Sequence, residues 1–177
     1  MATNNITILK NVDGFDYFVV NSADIGTGGW RNFSGAATQV KPNNTDRSFN
    51  IFLTDEEAMI LKNEGYNVKT RVSENPSEPA LNYLEIFIKY DRRFPRLLPK
   101  VLQTRPTGAP ILLPEDLLYQ LDTYEIARAK IKVRAYDWEY NRKHGRKAML
   151  SKMYVTIYQD DFDKEYYPDD DESLPFA

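Results

Sequence analysis

Read for alternation of apolar and polar positions, the chain is a succession of short period-two segments rather than of helical faces. Runs rich in β-branched and aromatic residues, bounded by Gly, Pro, Asn or Asp, predict strands over residues 6–9, 16–20, 48–53, 67–72, 81–90, 100–103, 127–139 and 147–158. One helix is well signalled. Thr54 followed by Glu57 forms a capping box, Asp55 and Glu56 suit the first turn, and Gly65 supplies the stop. A second short helix or turn is predicted over residues 114–121, opening on Pro114. Many strands with one or two short helices predict a mainly β fold, a compact barrel or sandwich rather than a βαβ array.

Successive strand side chains point to opposite faces, so alternate residues share a face at roughly 6.6 Å spacing. Over residues 130–138 one face carries Lys130, Lys132, Arg134, Tyr136 and Trp138, and the other Ile131, Val133 and Ala135, with Asp137 at its end. The second set predicts a core face; the first is a basic run ending in two aromatics. The next strand divides likewise, with Met149, Met153, Val155 and Ile157 expected inside and Lys152, Tyr154, Thr156 and Tyr158 outside. Residues 141–147, containing Arg142, Lys143, Arg146 and Lys147, are expected to form the basic turn of this hairpin. A third row comes from residues 81–90, where Leu84, Ile86 and Ile88 are apolar and Tyr83, Glu85, Phe87 and Lys89 mixed, running on into Arg92, Arg93 and Phe94. Cations meet phosphates and flat rings meet unpaired bases, so interleaving the two suits a single strand held without reading of its sequence. The bland alternative is that Lys and Arg solvate a sheet face while the rings pack under loops.

Composition narrows the chemistry. The 177 residues contain no cysteine and one histidine, His144, which excludes disulfides and thiolate metal sites and leaves little for a His-based zinc site or a hydrolase triad. The glycine-rich stretch GTGGWRNFSG at 26–35 lacks both a P-loop lysine and the strand-to-helix setting of a phosphate cradle, so it is read as an aromatic and basic loop presenting Trp30, Arg31 and Phe33. Residues 1–10 lack the charged start and long apolar run of a secretory signal, and no stretch approaches a membrane span, so a cytoplasmic protein with no membrane partner is expected.

Charge is unevenly distributed. The chain carries 23 Lys and Arg against 26 Asp and Glu, a net of −3. Residues 160–177 alone hold eight carboxylates and one lysine, or −7, which leaves +4 for residues 1–159. Such asymmetry points to a polyanionic ligand for the body and a separate task for the tail. Lacking an apolar face, an acidic run of this kind is expected to stay solvated and disordered. Its end, Asp169, Asp170, Asp171, Glu172, Ser173, Leu174, Pro175, Phe176, Ala177, sets a small hydrophobic anchor in a field of charge, as a partner-docking peptide would. The cluster Asp160, Asp161 and Asp163 raises an alternative, a metal-dependent nuclease, although two-metal sites need carboxylates fixed by a rigid scaffold. A second alternative is a protein-interaction adaptor that binds no DNA.

The order Trp30-Arg31-Asn32-Phe33-Ser34-Gly35, Arg47-Ser48-Phe49, the helix opening Thr54-Asp55-Glu56-Glu57, Tyr136-Asp137-Trp138 and Lys152-Met153-Tyr154-Val155 resembles single-stranded DNA-binding proteins of tailed bacteriophages, over residues 29–158. The resemblance implies an OB-fold-like Greek-key barrel over residues 1–159, without enzymatic activity, cofactor or metal, that coats single-stranded DNA during phage replication or recombination in the cytoplasm of the infected host. With the basic and aromatic rows read above, the expected DNA contacts are Trp30, Arg31, Phe33, Tyr83, Phe87, Lys89, Lys130, Lys132, Arg134, Tyr136, Trp138, Arg142, Lys143, Arg146, Lys147, Lys152 and Tyr154. The tail resembles the acidic C-termini through which such proteins recruit replication and recombination enzymes. Pro175-Phe176 matches that pattern, and Ala177, which follows the aromatic, departs from it.

Overall fold

The structure is a computed structural model that describes residues 5–39, 41–105 and 108–158. Eleven strands follow in order: β1 (Ile6–Val12), β2 (Phe15–Val20), β3 (Asp24–Ile25), β4 (Arg31–Asn32), β5 (Arg47–Leu53), β6 (Lys69–Arg71), β7 (Leu81–Ile88), β8 (Lys100–Gln103), β9 (Ile111–Leu113), β10 (Glu125–Tyr140) and β11 (Lys143–Tyr158). One α-helix, α1 (Asp55–Asn63), lies between β5 and β6, and a 3₁₀ helix spans Glu115–Asp122 before β10. The mainly β expectation holds, as do both predicted helical segments. The proposed tail, residues 160–177, lies outside the described residues.

All strands join one sheet whose main path runs β1-β2-β10-β11-β7-β5-β3. The ladder is not closed, yet its circuit is nearly complete. β2 and β3 are consecutive in the chain, and between them the Ala23 N–H donates to the Ala129 carbonyl of β10 at 2.8 Å. The bent stretch 15–25 therefore borders β10 at one end and β5 at the other, which gives the partly open five-member ring that an OB-fold implies. Neighbours in this ring are antiparallel except β7 and β11, which run parallel.

Alternation fills the ring. Phe18, Phe49, Ile51, Ile86, Ile131 and Met153 are fully buried inside it, and Leu61 of α1 and Leu118 and Leu121 of the 3₁₀ helix join them. The predicted capping box is present, with Glu57 N–H donating to the Thr54 hydroxyl at 3.2 Å and Thr54 N–H to the Glu57 carboxylate at 2.9 Å.

Two expectations are corrected by the hairpin of β10 and β11. Its turn is only Asn141-Arg142, both at positive φ (49° and 65°) as a tight two-residue hairpin requires, so Lys143 to Lys147 are strand rather than loop. Register is the second. Lys132 pairs with Lys152 but Val133 pairs with Leu150, leaving Ser151 as an extra residue in β11. Such a bulge exchanges the faces of everything before it. Ala148 and Leu150 point inward, whereas Met149, predicted inside, faces out opposite Arg134 and Phe87. Thr156, predicted outside, is buried and bonds Thr104 at 2.5 Å.

Past Ala135 and Ala148 the inner face turns polar, and Arg146 caps it. Its guanidinium donates to both Asp137 oxygens (2.7 and 3.0 Å), to Asp16 (3.1 Å) and to the Glu64 carbonyl at the end of α1 (3.0 Å), and lies over the Tyr66 ring. Those carboxylates raise its pKa, the Asp137 hydrogen bonds foremost, and burial pushes the Tyr66 hydroxyl up to about 12.

Because Ser151 is the extra residue, its deletion should leave Lys132–Lys152 and Val133–Leu150 as consecutive pairs of a regular ladder, keep Ala148 and Leu150 inward and preserve cooperative unfolding. A deletion variant that loses its cooperative transition in a thermal scan would show that the ladder on either side of Ser151 does not join in this register.

Candidate nucleic-acid interface

The outer face of the sheet is built by the same alternation that fills the core. β2 contributes Phe15, Tyr17 and Val19; β10 contributes Lys130, Lys132, Arg134 and Tyr136; β11 contributes Lys147, Met149 and Lys152; β7 contributes Tyr83, Glu85 and Phe87. Cross-strand register turns these into rows. Tyr17, Arg134, Met149, Phe87 and Ser48 lie side by side across five strands.

Cations rest on rings throughout. The Lys132 ammonium is 4.7 Å from the Tyr17 ring centroid, the Arg134 guanidinium 5.0 Å from that of Phe15, and the Lys147 ammonium 4.9 Å from that of Phe87. These contacts hold the long side chains against the sheet with their charges outward, which reduces the rotamer entropy a ligand must remove. Burial pulls the Arg134 pKa down, a shift opposed by Tyr17 and Tyr136, but an arginine stays charged at any working pH.

A second row carries the decisive feature. Lys132 pairs with Lys152, and Lys152 pairs in turn with Lys100, so three lysines stand directly opposite one another on three adjacent strands. With strands about 4.8 Å apart, the row spans roughly 10 Å. Like charges in direct register are destabilising, so this row costs the free protein stability that a bound polyanion would return.

At the other end of the face, Trp30 meets Phe52 and Tyr83 edge-on, with centroids 5.3 and 4.8 Å away, and the Arg71 guanidinium lies 5.9 Å from its ring. Its neighbours in sequence hold it there. Arg31, 7% exposed, donates to the carbonyls of Gly26 (2.7 Å), Leu121 (3.0 Å) and Tyr124 (3.0 Å); Asp122 accepts from the backbone N–H groups of Phe33 (2.6 Å) and Ser34 (3.1 Å). Phe33 is fully buried and stacked on Phe49 at 5.1 Å. The loop thus displays Trp30 and buries Arg31 and Phe33, which corrects their expected placement on DNA.

Two further residues are relocated. Tyr154 is 5% exposed, flanked by Lys130 and Leu102 in the two ladders of β11 and lying beneath the Lys152 ammonium, so its ring is closed to a base. Arg146 faces the inner side and is committed to Asp137, Asp16 and Glu64. Arg142 and Lys143 are exposed at the hairpin tip, Lys89 at the end of β7, and Tyr136 is half exposed. Trp138 lies across Gly145 of the paired strand, where a Cβ would meet the indole at 2.6 Å, so one face of that ring is covered by the protein itself.

A family model described as "Putative phage ssDNA-binding domain" matches residues 17–174. The chain belongs to the phage single-stranded DNA-binding domain family. Among solved structures, the single-stranded DNA-binding protein from bacteriophage Enc34 in complex with ssDNA is similar with a TM-score of 0.50 at 9% identity, covering 89% of this chain and 98% of that one. A further structure of the single-stranded DNA-binding protein from bacteriophage Enc34 has a TM-score of 0.49 at 10% identity and covers 96% of each chain. No curated protein sequence matches the chain. The family is defined by binding single-stranded DNA rather than by a reaction on it, which removes the nuclease alternative, and the aspartates that raised it lie outside the described residues.

The residues of this outer face that the sequence pattern missed are Phe15, Tyr17 and Lys100. The alternation Phe15, Tyr17, Val19 was available, but β2 shows its outer side only once paired with β10. Lys100 opens a four-residue strand, and its alignment with Lys152 depends on a parallel pairing between segments some fifty residues apart.

Replacing Lys100 by Thr should raise stability by about 0.2–1 kcal/mol at low salt, by removing one like-charge pair. It should also reduce the slope of log affinity for single-stranded DNA against log salt by about 0.7. Denaturant melts and salt titrations measure both; a variant less stable than wild type with an unchanged slope would take Lys100 out of the interface.

Proposed function

We propose that this protein coats single-stranded DNA without strong sequence preference, with the strand lying across the outer sheet face over β2, β10, β11 and β7. The observation that carries this reading is the row Lys132-Lys152-Lys100, flanked by Tyr17, Phe87 and Tyr136. Phosphates would draw Lys132 and Lys147 off the half-buried Tyr17 and Phe87 rings, and bases would stack on these rings and on the exposed Tyr136. Trp30, Tyr83 and Trp138 extend the aromatic surface towards either end, and Lys130, Arg134 and Lys147 supply further charge. The complex of the similar Enc34 protein with ssDNA is in keeping with this use of the fold.

We further place the protein in phage DNA replication or recombination within the cytoplasm of the infected host, with residues 160–177 as its partner-recruiting segment. Support comes from charge and composition. The segment carries −7 against +4 for the rest, and Leu174, Pro175 and Phe176 are the apolar group a partner would grip. On a tether, Asp169 to Glu172 also compete with DNA for the basic face at high effective concentration.

One titration series tests the whole reading. A fluorescent oligothymidine should bind more tightly than a duplex of similar length, with a salt slope of about −3 to −4 if four to six cations are engaged. Charge reversal at Lys132 and Arg134 should flatten that slope. Removing residues 160–177 takes the net charge from −3 to +4, so truncation should leave oligothymidine binding at least as tight, most visibly at low salt, while ending capture of a replication protein. Equal affinity for duplex removes the stacking argument; several-fold weaker binding after truncation makes the tail part of the DNA site.

A further inference from the structure

Between β7 and β8 the chain makes an exposed basic excursion whose middle, residues 90–99, the sheet face does not use. Residues 89–100 hold Lys89, Arg92, Arg93, Arg96 and Lys100 against one carboxylate, Asp91. At its outermost point Phe94 is 53% exposed, among the largest apolar exposures in the described residues.

The ring is presented by a built turn. The Asp91 carboxylate accepts from the Arg93 N–H (3.1 Å), the Asp91 carbonyl from the Phe94 N–H (3.1 Å), and the Phe94 carbonyl from the Leu97 N–H (2.9 Å), opening a 3₁₀ turn at Pro95–Leu97. Beneath it Pro99 is buried, and Leu97 and Leu98 are half buried, so the turn is anchored on its inner side. Arg93 is clasped by both Asp91 oxygens (3.0 and 2.8 Å), and its guanidinium lies 5.6 Å from the Phe94 ring centroid. Arg92 is tied to Glu115 at 3.3 Å. Arg96, exposed, has no ion pair among the described residues. Hydrogen bonds from Arg93 hold the Asp91 carboxyl down to about 2, so the clasp persists across any ordinary assay pH.

A rigid, arginine-backed ring beside an unpaired cation is the pairing that takes one stacked base and its phosphate. The excursion is also continuous with the sheet face: Lys89 follows Phe87 on the outer side of β7, and Lys100 re-enters beside Lys152. We propose that the turn at residues 91–97 is a second contact station for the same single strand, Phe94 stacking on a base and Arg96 meeting its phosphate beyond the edge of the sheet. This rests on the single-stranded DNA reading above and extends the track it describes.

The test is a length series of oligothymidines spanning about 4–16 nucleotides, the range one OB fold covers, titrated against wild type, Phe94→Ala and Arg96→Glu. The shortest oligomers that bind should show equal affinity in all three proteins. Beyond the length that reaches the turn, Phe94→Ala should fall about fivefold or more below wild type, Phe94→Trp should restore the loss, and Arg96→Glu should show a shallower salt slope. Identical curves at every length for both variants overturn the proposal. So does an equal loss at every length, which would place the turn within the principal face, or a change in sedimentation without a change in the length dependence, which would make Phe94 a contact between copies. Failure of wild type to bind any oligomer would instead sink the parent reading. Because both side chains are exposed, unchanged melting temperatures certify the variants.

Discussion

Strands β10 and β11 use the two sides of one pleated ribbon for opposite purposes, and the rest of the molecule is arranged around that constraint. Ile131, Val133 and Ala135 complete the core; Lys132, Arg134 and Tyr136, their immediate neighbours in sequence, carry the charge and the ring of the outer face. Neither set can shift by one residue without inverting the other. Burial of the apolar side therefore fixes where the cations stand to within the rigidity of the core, which is what a shallow, sequence-tolerant binding surface needs in place of a pocket.

That coupling explains why charges that repel one another are kept in register. Lys132, Lys152 and Lys100 could each be replaced by neutral strand formers at a gain in stability, and none of the three is buried or ion-paired among the described residues. A face optimised for the free protein would alternate sign. The opposite treatment is given to Arg31 and Arg146, which are surrounded by carbonyls and carboxylates and act as internal fasteners, one tying the 26–35 loop to the 3₁₀ helix and the other tying the hairpin to α1. Arginine suits that work because its planar fork satisfies several acceptors at once.

The sequence disclosed what is local. Period-two alternation at residues 130–138, the Thr54-Glu57 capping box and the strand-rich composition all survive in the structure because each depends on neighbours within a few residues. What escaped depends on distant pairing. The Ser151 bulge has no signature in its own segment, so Met149 and Ala148 exchange faces without warning. The strands Asp24–Ile25 and Arg31–Asn32 are two-residue bridges, too short for any pattern. Arg31 and Phe33 looked like exposed site residues because their loop is glycine-rich and polar, yet their partners, Leu121, Tyr124, Asp122 and Phe49, lie elsewhere in the chain. Tyr154 shows the same limit: alternation put it on the outer face, and only the docking of β8 beside it closed that position.

The central claim, that single-stranded DNA lies on the outer face of β2, β10, β11 and β7, is tested most directly by photocrosslinking the full chain to oligonucleotides carrying 5-iododeoxyuridine and mapping the modified peptides. The account predicts adducts at the rings of that face, Phe15, Tyr17, Phe87 and Tyr136. Adducts confined to Tyr119, which is exposed on the 3₁₀ helix away from these strands, with none on the sheet, would contradict it.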